Sequence, residues 1–172
     1  MYRFEDFLEI LKLYSEVYLK FENFQKNKDN IFIPKTGDQK TGIIGEALIF
    51  EYLSRLNETG LNFGTHSEKG WDIESSKYRY QVKTVSAFSK TKVLSPIHKG
   101  WHYLYLVQLD TNFLPERVLK VENPNNWKKD VIRGKKFPRK GSKTFEINGN
   151  MCPIFDETLV LQKEALLLKY NT

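Results

Sequence analysis

The sequence predicts an α/β (α+β) fold in which a mixed central β-sheet is flanked by helices. Two observations support this fold class. Apolar residues recur at helical spacing in the first third of the chain, and a run of short segments rich in aromatic and β-branched residues follows. The chain has 172 residues, which is enough for a sizeable hydrophobic core, so we expect one domain over residues 1–172.

Three main helices are predicted. In residues 4–24, apolar side chains recur every three or four positions, as in an amphipathic helix. Residues 41–57 are apolar around most of the helical circumference, which predicts a buried helix that ends at Gly60. A C-terminal helix is predicted over residues 156–170.

The predicted strands lie between the second helix and the C-terminal helix. They are expected at 61–65, at 71–85 (a hairpin), at 101–110, at 115–122 and at 143–148. The strand at 101–110 is expected to be central, with 115–122 as its hairpin partner, and residues 86–100 are expected to form a loop. Asn125 or Asn126 is a candidate N-cap for a short additional helix.

Composition excludes several classes of protein. Cys152 is the single cysteine, so the chain has no internal disulfide framework and no cysteine-based metal cluster. No apolar run approaches the roughly 20 residues that a membrane-spanning helix needs, and the N-terminal residues do not resemble a signal peptide. We therefore expect a cytoplasmic protein without a membrane partner.

Positive charge is concentrated in one segment, residues 128–143. The chain carries a formal net charge of +6, and this segment alone holds eight basic residues and one aspartate, a net of +7, which leaves 6 − 7 = −1 for the rest. The candidate DNA-binding residues are Lys128, Lys129, Arg133, Lys135, Lys136, Arg139, Lys140 and Lys143. Such a cluster suits a polyanionic partner, although a solvated, flexible loop has the same composition.

The hairpin at 71–85 carries three polar residues in a pattern that suggests chemistry. Side chains alternate between the two faces of a strand, so Gln81 and Lys83 share one face of the second arm. Asp72 lies on the first arm. An amide, an ammonium group and a carboxylate would then lie close together.

Glu46 lies upstream, in the second predicted helix. At 100° per residue it shares a helical sector with Phe50 and Leu53. A carboxylate on an apolar sector is costly unless it is paired or binds a cation. Glu46 either lies at the edge of that face, paired with Lys40 or Arg55, or belongs to a metal site.

Together these residues match the needs of metal-dependent phosphodiester hydrolysis. Mg²⁺ prefers oxygen ligands, with water and phosphate completing its octahedron. Asp72, Gln81 and Glu46 can supply such oxygens, and Lys83 can approach the attacking water and stabilise developing negative charge.

The residues also resemble a known family signature. GWDIESSKYRYQVKT at 70–84, preceded by KTGIIGEALIFEYL at 40–53, is similar to the active-site motif of the PD-(D/E)xK nuclease superfamily. In that family an acidic residue opens one strand of a hairpin, an acidic-x-Lys triplet lies on the next strand, and a helix upstream often contributes a glutamate. The likeness covers about residues 40–122. It departs from the family pattern at Gln81, which replaces an acid, and at Trp71, where a proline usually stands.

The resemblance implies a restriction-endonuclease-like core with Asp72, Gln81, Lys83 and Glu46 as catalytic residues. It implies Mg²⁺ as the cofactor, with Mn²⁺ as an alternative, bound by Asp72, Gln81 and Glu46. It further implies cleavage of double-stranded DNA, as in a type II restriction endonuclease. A homodimer is the economical way to cut both strands.

Two alternatives stay open. A homing, repair or junction-resolving nuclease would use the same chemistry, because a motif identifies chemistry and not biology. A non-catalytic DNA-binding module with a degenerate site would explain Gln81. The retention of Glu46, Asp72 and Lys83 speaks against degeneration.

Overall fold

A computed structural model describes residues 3–26, 40–64 and 70–163 of the chain. Two helices come first, α1 (Phe4–Lys26) and α2 (Lys40–Arg55), and a short α3 (Thr158–Leu161) comes last. Between them lie β1 (Asn62–Phe63), β2 (Ile73–Glu74), β3 (Arg79–Val85), β4 (Ile97–His98), β5 (Tyr103–Leu109), β6 (Pro115–Glu122), β7 (Val131–Ile132), β8 (Thr144–Ile147) and β9 (Asn150–Asp156).

Seven of the strands form one mixed sheet in the order β1-β2-β3-β5-β6-β9-β8. The pair β3–β5 is parallel and the other neighbours are antiparallel. The predicted fold class is thus confirmed as mixed α+β, with a mostly antiparallel central sheet flanked by helices. The predicted hairpin of β5 and β6 is also confirmed, with Leu106 opposite Leu119.

The two faces of the sheet are covered differently. On one face, α1, α2 and α3 contribute Leu11, Leu48 and Leu161 to a cluster that includes Tyr80 and Val82 of β3. This burial accounts for the position of the helices, since each presents an apolar face to the sheet.

The opposite face is covered by an antiparallel ribbon of β4 and β7, with His98 opposite Val131. We call residues 92–99 together with 130–137 the β4–β7 ribbon. Leu94, Ile97 and Phe137 of this ribbon are buried against Val85 of β3. Part of the segment expected to be a loop at 86–100 is therefore a strand, and part of the basic segment is too.

The end of α2 differs from the prediction. The helix ends at Arg55, and Asn57 takes the left-handed conformation with φ of 61°. The Asn57 N–H donates to the Ser54 carbonyl and the Glu58 N–H to the Leu53 carbonyl, which is a Schellman motif. The prediction of Gly60 as the end was wrong, because an asparagine three residues earlier provides the left-handed position.

The short helix expected after Asn125 or Asn126 was also wrong. Asn125 has a positive φ of 57°, which an N-cap does not adopt. Its N–H donates to the Asn123 side-chain oxygen, which also accepts from the indole N–H of Trp127. A side-chain turn thus replaces the helix.

The C-terminal part contains a strand that the sequence did not indicate. β9 pairs with β8 and with β6, although Pro153 interrupts its pattern. Of the predicted C-terminal helix, α3 is present, whereas residues 164–170 lie outside the described part of the chain. Among the described helices, none is long and apolar enough to cross a membrane.

Candidate active site

The candidate site lies where β3 extends past its short neighbour β2. In that pair, Ile73 lies opposite Tyr80 and Glu74 opposite Arg79. Asp72, just before β2, donates its N–H to the Tyr80 carbonyl at 2.8 Å. Its carboxylate Oδ2 accepts the Val82 N–H at 2.7 Å. A side chain thus satisfies a β3 amide beyond the end of the β2 ladder, which holds the Asp72 carboxylate against the edge of β3.

Lys83 meets this carboxylate. The Nζ of Lys83 lies 3.8 Å from Oδ2 of Asp72, and the two side chains are 11% and 24% exposed. Such partial burial weakens screening by solvent and salt. The hairpin pattern predicted from the sequence therefore places Asp72 and Lys83 side by side.

Glu46 reaches the same edge because α2 packs very closely on β3. A Cβ at Gly45 would lie 1.9 Å from Oγ1 of Thr84 and 3.0 Å from its Cβ, so a larger residue there would have to displace Thr84 or the helix. The absence of a side chain at Gly45 lets α2 approach β3 at this point. The carboxyl of the next residue, Glu46, is influenced electrostatically by Asp72 and Lys83. This contact gives a physical reason for glycine at position 45, directly before Glu46.

The electrostatic environment of Glu46 is unusual for a helical glutamate. Burial of its carboxyl, and secondarily the negative charge of Asp72, raise the pKa of Glu46 from 4.5 to about 7, while Lys83 opposes the shift. The alternative pairing of Glu46 with Arg55 was wrong, because Arg55 binds Glu51 at 2.6 Å. The side chain of Lys40 lies outside the described part of the structure.

Gln81 is buried, with 1% of its surface exposed. Its Nε2 donates to the Gly70 carbonyl at 3.1 Å, and its Oε1 accepts the His98 N–H at 3.2 Å. It lies two residues before Lys83 on β3, but both ends of its amide are bonded to backbone groups. Sequence reasoning could not identify these partners, since they are main-chain atoms 11 and 17 residues away.

The basic residues form two surfaces. Lys128, Lys129, Arg133 and Lys135 line a groove of about 540 Å³ beside β7. Glu146 of β8 and Asn148 and Gly149 of the β8–β9 turn also line it. We call this the basic groove. Val131 and Ile132 contribute apolar lining, and Lys135 is ion-paired with Glu146.

The second basic surface is the exposed loop that carries Arg139, Lys140 and Lys143. Arg117 of β6 holds this loop by donating to the Pro138 carbonyl at 2.7 Å. Lys136 is exposed on the β4–β7 ribbon between the two surfaces. The segment is thus partly a structured ribbon and partly an open loop.

Possible metal ligands at the site are two carboxylates. In residues 3–26, 40–64 and 70–163, no group of three or more His, Cys, Asp or Glu side chains is placed to hold a metal ion. Mg²⁺ is commonly bound by only one or two carboxylates together with water and substrate phosphate. The pair Glu46 and Asp72 fits that donor set. The pKa of Glu46 is raised by burial first and by the neighbouring charge of Asp72 second.

Comparisons with known proteins add no relatives: no protein-family model matches the chain, and no curated protein matches it significantly.

Proposed function

We propose that this chain is a metal-dependent endonuclease that hydrolyses double-stranded DNA, with a restriction-endonuclease-like core and type II restriction as its most economical role. The observation that carries the proposal is the convergence of Glu46, Asp72 and Lys83 at the open edge of β3. Glu46 comes from α2, Asp72 from the residue before β2 and Lys83 from β3; Lys83 is paired with Asp72, and both influence the carboxyl of Glu46 electrostatically.

In this proposal Glu46 and Asp72 would hold Mg²⁺, or Mn²⁺ in its place. When bound, the ion would polarise a phosphoryl oxygen and lower the pKa of a bound water. A cation beside Glu46 would be favourable, because burial and the neighbouring charge of Asp72 make the ionised form of Glu46 costly.

The chain's own residues would orient and stabilise the reacting phosphate. The Val82 N–H donates to one carboxylate oxygen of Asp72 and so fixes the orientation of this carboxylate. Lys83 is mostly buried and holds its positive charge next to that carboxylate. An ammonium group in such a position would stabilise negative charge that develops on a phosphate during attack by water.

The basic groove and the Arg139–Lys143 loop would bind phosphates of the duplex. Such contacts orient the protein on DNA without reading its sequence. The β4–β7 ribbon supports this assignment, because it ties the groove to the sheet face next to β3. Two copies related by a two-fold axis would cut both strands.

A second candidate is a DNA-binding module without catalysis. The observation that favours it is Gln81, whose amide is occupied by Gly70 and His98. A metal at this site would have two carboxylates as protein ligands, and β3 would supply no further oxygen, because the Gln81 Oε1 is bound to the His98 N–H.

The test is incubation of the purified chain with long duplex DNA of mixed sequence in Mg²⁺, in Mn²⁺ and in excess chelator. The proposal predicts metal-dependent cleavage, and discrete fragments would indicate sequence-specific restriction. Binding without cleavage under all conditions would favour the non-catalytic module.

A further inference from the structure

Gln81 lies at a point where three segments of the chain meet. Its amide bridges the segment before β2, through Gly70, and the β4–β7 ribbon, through His98. The Gly70 carbonyl can only accept and the His98 N–H can only donate a hydrogen bond. The two partners therefore fix which end of the amide is oxygen and which is nitrogen.

The first partner fixes the segment that carries Asp72. Gly70 precedes Asp72 by two residues, and its backbone lies directly against the ribbon. A Cβ at Gly70 would lie 2.3 Å from the Lys99 carbonyl oxygen. The Asp72 segment, β3 and the ribbon thus share one packed joint at Gly70, Gln81 and His98.

The second partner fixes the ribbon that carries the basic groove. His98 lies opposite Val131. The next residue, Lys99, donates its N–H to the Asp130 carbonyl at 3.0 Å and pairs its Nζ with the Asp130 carboxylate at 2.7 Å. Movement of His98 would therefore move the strand beside Lys128, Lys129 and Arg133.

A carboxylate would not satisfy this joint. A glutamate at position 81 could accept from His98, but its other oxygen would face the Gly70 carbonyl without a proton between them. The residue is 1% exposed, so the charge would also be buried. These contacts give a reason for an amide at position 81, where the PD-(D/E)xK motif has an acidic residue.

We propose that Gln81 is a positioning residue and not a metal ligand: its amide fixes the basic groove relative to Asp72 and Lys83. The proposal deepens, and rests on, the endonuclease function proposed above. The metal would then be held by Glu46 and Asp72 alone. The Gln81 side chain would fix the position of the basic groove relative to Asp72 and Lys83.

The test compares Gln81→Met and Gln81→Glu with Gln108→Met, a matched control on β5 whose amide bonds an exposed glutamate. Single-turnover cleavage of long mixed-sequence duplex is measured at saturating protein, together with the Mg²⁺ concentration for half-maximal rate. Both Gln81 variants should cleave about 10- to 100-fold more slowly at saturation, with an unchanged Mg²⁺ requirement. Gln108→Met should match wild type.

Metal-free binding to the same DNA supplies a second readout. Gln81→Met should bind about 5-fold more weakly, which corresponds to about 1 kcal/mol. Should this variant fail to fold, Gln81→Asn, which keeps an uncharged amide but is one methylene too short to reach both partners, carries the test. A purely structural role would lower the melting temperature and leave the rate at saturation unchanged, which would overturn the proposal.

A ligand role predicts the opposite result for Gln81→Glu. The added charge would strengthen metal binding, so cleavage at wild-type rate or faster, with a lower Mg²⁺ requirement, would overturn the positioning role. If wild type itself cleaves no duplex in Mg²⁺ or Mn²⁺, the proposed function fails instead. Metal-free binding by the same variants then still decides whether the joint positions the groove.

Discussion

The open edge of β3 and the β4–β7 ribbon differ in how they hold charge. At the edge, Lys83 is 11% exposed and lies 3.8 Å from a carboxylate that is itself bound to the backbone. On the ribbon and its loop, most of the basic side chains are exposed, and Gly134 and Gly141 interrupt the basic run. The charged groups at the edge are held in fixed positions, as a catalytic site requires. The ribbon and its loop instead present a high density of exposed positive charge, as binding to a polyanion requires.

The largest expected effect concerns Lys83. Lys83→Ala should reduce cleavage of duplex DNA by about 1,000-fold or more while metal-free binding changes little, because this ammonium group is assigned to charge that develops in the transition state. Lys77→Ala, in the exposed β2–β3 turn, is the control and should behave as wild type. Full activity of the Lys83 variant would remove it from the catalytic group.

Binding should depend on the basic groove more than on the neighbouring loop. The triple variants Lys128→Ala/Lys129→Ala/Arg133→Ala and Arg139→Ala/Lys140→Ala/Lys143→Ala remove the same formal charge. The groove triple should flatten the slope of log K against log salt by up to about 2.7, since each phosphate contact contributes about 0.9 on B-DNA. The loop triple should have a smaller effect, because Arg117 ties it to β6 and not to β4.

Fluorescence anisotropy in chelator over a salt series measures both slopes. Equal slopes would show that DNA does not distinguish the groove from the loop. An unaltered slope in the groove triple would show that the groove faces away from DNA. Lys135 is left out of both sets because it is paired with Glu146.

The close contact between α2 and β3 predicts an effect on stability. Gly45→Ala would place a methyl group against Thr84, so we expect a loss of about 1 to 3 kcal/mol and weaker catalysis through displacement of Glu46. Gly42→Ala is the matched control: its Cβ would lie 4.0 Å from Oε1 of Glu46, an ordinary contact, and alanine favours the helix by up to about 1 kcal/mol. Urea denaturation compares them, and equal stability of the two variants would contradict the packing described.

The smallest expected effect is a pH dependence without metal. The pKa of Glu46 is raised in the folded state from 4.5 to about 7, so its ionisation destabilises the fold as pH rises through that range. Glu46→Gln should therefore be similar to wild type at pH 4.5 and more stable by about 1 to 2 kcal/mol at pH 8, allowing for its partial exposure. Urea denaturation in chelator at the two pH values measures this difference, and a constant difference would contradict the shift.

Much of the fold could be predicted because its patterns are local. The alternation in β3 and the aromatic run in β5 indicated strands, and the spacing of Asp72, Gln81 and Lys83 placed them on one hairpin. Glu46 was recognisable because a carboxylate on an apolar helical sector is costly. These signals need only the side-chain periodicity of helices and strands.

The remaining features depend on contacts between distant segments. The partners of Gln81 are main-chain groups of a loop and of β4, and no periodicity points to them. The side-chain oxygen of Asn123 accepts the Asn125 N–H and stabilises a turn in place of a helix. The amino-acid composition of this segment does not show which of the two forms. The sequence also gave no sign that the 128–143 segment contributes a strand to the β4–β7 ribbon, because two-residue strands are held by their partner and by buried neighbours such as Phe137.

The Mg²⁺ dependence of duplex cleavage, compared between wild type, Glu46→Gln and Glu51→Gln, tests the assignment of the β3 edge most directly. Glu51 lies on the same helix and is paired with Arg55, so its variant controls for loss of a helical carboxylate. We expect Glu46→Gln to need at least about 10-fold more Mg²⁺ for half-maximal cleavage, because it loses one of two carboxylate ligands. Glu51→Gln should titrate as wild type. Identical titrations for all three proteins would contradict a metal site at Glu46 and Asp72.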